Sequence, residues 1–196
     1  MNISRIAALC TVENMTFAEL SEDALFKKIP GPDVKLYINS LIALASARKD
    51  QIKDENRGAR FSLSDICRSK GLSVNLIENS YPKALPRFRA EILYREKIIN
   101  VIKSSVDQIC GVLKIFNFNG LESIASFDYI KDIHIAHELY HFLEFTSGEY
   151  TQDALPGVTY FKIGGFERKS GVAKASEAAA HIFCMKITGM PFHPKL

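Results

Sequence analysis

Cysteine is scarce in this chain. The four present, Cys10, Cys67, Cys110 and Cys184, lie far apart and form no C-x-x-C pair. Such spacing excludes a disulfide framework and a thiolate zinc site, and leaves reduced thiols as the expectation. Long apolar runs are missing too. None approaches the ~18 residues a membrane-spanning helix needs, and Met1 to Cys10 is too short and polar for a secretory leader. Basic residues are scattered, and the net charge of +3 argues for neither nucleic acid nor an anionic membrane. Internal repeats and low-complexity segments are absent. Together these absences predict a cytoplasmic protein with no membrane partner and no direct contact with nucleic acid.

What is present suits a globular fold. A hydrophobic content of 47% and a charged content of 24% in 196 residues can bury a real core. That length fits one domain, or one domain with an appendage. Residues 1–60 read as a helical appendage and 61–196 as the main domain. Thr16 to Ile29 is a short amphipathic stretch closed by Pro30-Gly31-Pro32. Asp33 can cap a helix carrying Val34, Tyr37, Ile38, Leu41, Ile42 and Ala45 at helical spacing. The charged run Arg48 to Arg60 reads as a solvated helix end and a loop.

Beyond Phe61, Ser62 to Lys70 is expected to be a short helix stopped by Gly71, and Ser73 to Glu78 a strand. Pro82 and Pro86 mark a loop. Ala90 to Arg95 and Ile98 to Lys103 read as strands around a turn at Glu96-Lys97. A helix from Ser105 to Phe116 ends in a turn from Asn117 to Gly120. A second helix covers about Asp128 to Phe145, followed by a polar loop from Thr146 to Gly157. Val158 to Ile163 and Phe166 to Lys169 form a hairpin around Gly164-Gly165. A last helix from about Ser176 to Thr188 stops at Gly189. The chain is therefore expected to be helix-rich α+β, with a small three-stranded, mostly antiparallel sheet and an N-terminal helical layer.

The helix predicted from Asp128 to Phe145 carries His137-Glu138-Leu139-Tyr140-His141, an H-E-x-x-H. Residues four apart share a helix face, so both imidazoles can address one metal ion. Glu138, one residue round from His137, can hold a proton taken from a metal-activated water. A tetrahedral zinc site of this type needs a third protein ligand. Glu144 shares the face, but seven residues at ~1.5 Å rise place it about 10 Å along the axis from His137. It is expected to be a solvated group or a support behind the ligands. Glu177 is the better candidate. It opens Glu177-Ala178-Ala179-Ala180-His181, where three alanines permit close approach of two helices. His181, one turn on, is a candidate supporting partner. His134 reads equally as a support or an exposed side chain, and His193 as a surface residue.

These two segments resemble the ImmA/IrrE family of zinc metallopeptidases. The resemblance rests on His137 to His141, with Ile133 to Ala136 before it, and on Glu177 to Pro191, EAAAHIFCMKITGMP. Family members pair an H-E-L-x-H helix with a later helix of the form E-x-x-A-N-x-F-A…M-P. The resemblance implies a zincin-like domain, Zn2+ as cofactor, His137, His141 and Glu177 as its ligands, and Glu138 as the catalytic acid–base residue. It also implies narrow cleavage of a regulatory protein, such as a helix-turn-helix transcriptional repressor. Tyr140 stands where glycine is usual, and His181 where asparagine or aspartate is usual.

Three functions compete. A metallo-endopeptidase would use Glu138 as general base, with Tyr150, Tyr160 and His181 as candidates to stabilise the oxyanion. A non-catalytic, metal-stabilised regulatory binding module needs the same ligands but has no use for Glu138. DNA binding is suggested by Ser62 to Ser73, which resembles the first helix and turn of a helix-turn-helix. The strand-like Val74 to Ile77 and Pro82 then leave little room for a recognition helix.

Overall fold

The computed structural model describes residues 10–56, 62–78, 89–116, 125–191 and 193–194. The loop expected at Pro82 and Pro86 and the turn expected from Asn117 to Gly120 lie outside them. In chain order the elements are α1 (Val12–Leu20), a 3-10 turn (Phe26–Lys28), α2 (Gly31–Glu55), α3 (Leu63–Ser69), β1 (Ser73–Ile77), β2 (Ala90–Leu93) and β3 (Ile98–Ile102). Then come α4 (Lys103–Phe116), α5 (Phe127–Ser147), α6 (Thr151–Ala154), β4 (Val158–Ile163), β5 (Phe166–Ser170) and α7 (Lys174–Thr188). The class is α+β, as expected. No helix among the described residues is long and apolar enough to cross a membrane.

The chain forms two compact units, one of Met1–Gln51 with Glu144–Leu196 and one of Ile52–Leu143. Both α2 and α5 run from one unit into the other.

In the unit Ile52–Leu143, Ser62 caps α3 by accepting a hydrogen bond from the Asp65 N–H at 3.2 Å. Gly71, at φ +75°, ends it and turns the chain into β1. The sheet order is β1-β3-β2. β2 and β3 pair antiparallel, as a short turn requires, with Ile92 opposite Ile99. β1 pairs parallel with β3, Val74 opposite Ile99. The three-stranded sheet is thus mixed, with one parallel and one antiparallel pair, where a mostly antiparallel one was expected. A tight turn cannot join parallel strands, and β1 and β3 are not consecutive in the chain, since β2 lies between them. α3 packs on β1 and α4 on β3. Ile99, Val101 and Val106 are fully buried there.

In the other unit, α1 and α6 pack on α7, and β4 lies against the 3-10 turn. Thr11 caps α1. The expected stretch Thr16 to Ile29 is broken after Leu20 by turns, where Asp23 accepts from the Leu25 N–H at 2.8 Å. α2 extends to Glu55, so the charged run begins as the expected helix end, and most of the expected loop towards Arg60 lies outside the described residues. Its apolar stripe persists past Leu41 and Ala45, and Ile52 in the same helix is 1% exposed. The polar segment after α5 is also more ordered than expected, for it contains α6, with Thr151 buried. β4 and β5 form the expected hairpin around Gly164-Gly165, with a register shift between Thr159 and Phe161. α7 ends at Gly189, at φ +73°, whose N–H bonds the Met185 carbonyl.

Candidate metal centre

α5 is apolar on most of its circumference. Ile130, Ile133, Ile135, Ala136, Leu139, Tyr140, Phe142 and Leu143 are all buried, and a helix of that kind belongs in a core. Against this background, His134, His137, Glu138, His141 and Glu144 form one polar stripe, since steps of three and four residues return to the same face. Four ionisable side chains and a buried carboxylate on a core helix are costly unless they meet partners. Ser126 starts the helix by accepting from the Tyr129 N–H at 3.3 Å, which sets the phase of the stripe.

The two motif imidazoles converge. Nε2 of His137 and Nε2 of His141 are 3.2 Å apart, with ring planes inclined at 75°. Two nitrogens each about 2.05 Å from a tetrahedral zinc would be about 3.3 Å apart, so the pair is already spaced as a chelate. Without an ion, the same contact serves as one N–H···N hydrogen bond, the donor being whichever ring carries its proton on Nε2. His137, Glu138 and His141 are each half-buried, open enough to meet a small ligand.

His134, one turn before His137, is not the exposed side chain that was one of its two readings. Burial, aided by the charge of Arg89 and by His137, pulls its imidazole down to about 4, so the ring is neutral at pH 7. Its Nε2 has no hydrogen-bond partner among the described residues. Tyr140, which stands where glycine is usual in the resembling family, is 1% exposed and acts as a core side chain.

Glu144 belongs to the other unit and is 1% exposed, so the solvated reading fails. Its Oε1 accepts from the Thr151 N–H at 2.8 Å. Its Oε2 accepts a short hydrogen bond from the Ser176 hydroxyl. Glu144 therefore ties the end of α5 to α6 and to the first turn of α7. Glu177, half-buried, is the next residue of that turn. A second carboxylate locates the same turn from its N-terminal side, since Asp23 Oδ2 accepts from the Lys174 N–H at 3.2 Å. No side chain of the preceding Ala173 can do so, and an acid at this end suits the helix dipole. Buried Ala175, Ala178, Ala179 and Ala180 give α7 the smooth face its composition suggested.

Two further histidines lie near one another, and one departs from expectation. His181 turns to Glu19 of α1, with Nδ1 to Oε2 at 2.9 Å. His193, expected on the surface, is fully buried, its Nε2 3.9 Å from the same carboxylate oxygen. Glu19 was not singled out from the sequence, because its partner lies 162 residues away and α1 carries only a weak apolar stripe. Tyr150 and Tyr160 are partly exposed, at 38% and 43%. The Tyr160 carbonyl accepts from Lys28 Nζ at 3.2 Å. All four cysteines are free thiols, with Cys67, Cys110 and Cys184 buried. No protein-family model, curated protein or solved structure matches this chain.

Proposed function

We propose that this protein is a zinc-dependent endopeptidase of narrow specificity. The observation that carries the reading is the 3.2 Å convergence of the His137 and His141 Nε2 atoms on a largely buried helix. Two imidazole nitrogens and one carboxylate are a donor set that suits zinc. His137 and His141 supply the nitrogens, and Glu177, on the turn of α7 located by Glu144 and Asp23, supplies the carboxylate. A zinc ion held there provides Lewis acidity and lowers the pKa of a water towards ~7. Glu138 accepts the proton of the attacking water and returns it to the leaving amine. A purely structural site would have no need of a base at this position. β2 lies at one edge of the three-stranded sheet among the described residues, where an extended substrate segment can add as a strand. The resemblance to the ImmA/IrrE family makes a regulatory protein, such as a helix-turn-helix repressor, the proposed substrate.

The decisive experiment compares wild type, Glu138→Gln and Glu177→Ala for zinc content and for cleavage of a repressor substrate. Glu138→Gln keeps size and most hydrogen bonding, so zinc content is expected to stay normal while hydrolysis is lost. Glu177→Ala is expected to lose most of its zinc. Full cleavage by Glu138→Gln would overturn the mechanism, and normal zinc in Glu177→Ala would overturn the third ligand.

A further inference from the structure

A second set of metal-binding side chains lies wholly within the unit Met1–Gln51 with Glu144–Leu196. Glu19 comes from α1, His181 from α7, and His193 from the segment after Gly189. One ligand atom from each of the three lies within 4.8 Å of the other two. Glu19 is 2% exposed and His193 is 0% exposed, while the His181 side chain is 14% exposed.

Three elements distant in sequence thus bring two imidazoles and a carboxylate to one buried point. A simple buried ion pair accounts for part of this, because His181 Nδ1 and Glu19 Oε2 are 2.9 Å apart. The His193 ring is buried beside this pair, its Nε2 3.9 Å from the same oxygen. The two imidazoles are neighbours, with centroids 5.2 Å apart and planes inclined at 60°, so they do not stack face to face. Two protonated rings this close would repel. Two neutral rings and one carboxylate can share a divalent cation, which would draw the donors to about 3.3 Å from one another. Nitrogen and oxygen donors in this ratio suit zinc and its first-row neighbours better than calcium or magnesium.

We propose that Glu19, His181 and His193 form a second, structural site for a divalent transition metal, independent of the His137–His141 centre. The ion crosslinks α1, α7 and the segment after Gly189. It closes a long loop of chain in the folded state, and so stabilises this unit as other structural zinc sites do.

The test is metal stoichiometry on the full chain, stripped with chelator and reloaded with zinc. Wild type is expected to retain two zinc ions per chain after desalting. A His137→Ala/His141→Ala double variant is expected to retain one, and adding Glu19→Gln or His193→Ala to it is expected to remove that one. Singly, Glu19→Gln and His193→Ala should each bring wild type from two ions to one. In the double variant, added zinc should raise the thermal midpoint, and His193→Ala should abolish the rise. His193→Gln, which keeps most of the volume, serves where the alanine variant fails to fold. Cobalt(II) reloading should give two separable absorption titrations in wild type. The proposal is overturned if the folded double variant binds no zinc, or if its zinc content is unaffected by Glu19→Gln and His193→Gln. Failure of the His137–His141 centre would instead show as a double variant whose metal content equals that of wild type.

Discussion

Glu144 offers the sharpest test of how the structure holds α7 in place. Its carboxylate is 1% exposed and receives two protein donors, the Thr151 N–H at 2.8 Å and the Ser176 hydroxyl. Glu144→Ala removes both acceptors and admits no water without opening the core. An unsatisfied buried donor costs about 1–3 kcal/mol, so two should cost about 2–6 kcal/mol together. Glu144→Gln should be milder. Its amide oxygen can still accept from Thr151, and its amide nitrogen can donate to the Ser176 oxygen, so only the charge is lost, at about 1 kcal/mol. Urea unfolding followed by circular dichroism would read both changes as a lower midpoint at unchanged slope. Zinc content of the remaining folded protein should stay near that of wild type for Glu144→Gln, since Glu144 positions α7 and is not a ligand. A Glu144→Ala variant within about 0.5 kcal/mol of wild type would refute the argument, as would a Glu144→Gln variant as unstable as the alanine.

Other expectations follow from packing and ionisation. A Cβ on Gly171 would lie 2.5 Å from the Gln152 carbonyl oxygen, so Gly171→Ala should destabilise by about 1–3 kcal/mol; unchanged thermal unfolding would disprove that close approach. Burial, with the nearby charge of Asp132, pushes the Cys67 thiol up to about 12, whereas Cys10 is half-exposed. Cys10 should therefore alkylate first at pH 8, and Cys67 only at the rate of unfolding, which mass spectrometry can order. Because the fold favours the neutral thiol, this contribution to stability is complete below the unfolded thiol's range near ~8.5. It is lost as pH rises from there towards about 12, the folded value. Zinc-loaded protein should cut a repressor with an extended segment and leave unfolded casein largely intact; rapid digestion of casein would contradict narrow specificity.

Much of the fold could be read in advance where the signal is local. The H-E-x-x-H stripe, the Ser62 cap, the Gly71 and Gly189 stops and the β2–β3 turn each depend on residues within a few positions of one another. The errors lie where distant residues decide. β1 pairs parallel with β3, which no periodicity within β1 can encode. Ile52, set among charged residues near the end of α2, is nonetheless buried, which its polar neighbours in sequence do not signal. Glu144 was open to a solvated or a supporting reading because Ser176, 32 residues away, gives no local hint of a hydrogen bond. His193 looked like a surface residue because it follows the helix stop and a proline, yet the ring is buried. The two-histidine part of the candidate centre was legible, since His137 and His141 sit one helix turn apart. The Glu19 cluster was not, since its three members come from opposite ends of the sequence.

The β4–β5 hairpin has one further consequence, for how the protein behaves in concentrated solution. Phe161, Ile163 and Phe166 are 43%, 66% and 53% exposed on a two-stranded ribbon, the sort of surface that invites strand-to-strand stacking. The ribbon answers with charge. Lys162 pairs with Glu167, Arg168 lies over the Phe166 ring at 5.6 Å, and Lys169 continues the basic edge. These act as gatekeepers, and their repulsion between copies weakens as the Debye length shrinks from about 10 Å at 0.1 M salt to about 3 Å at 1 M. Ionic strength thus becomes the colloidal control for this chain. Dilute salt keeps the ribbons apart, and the high-salt steps common in purification are where they would first find each other.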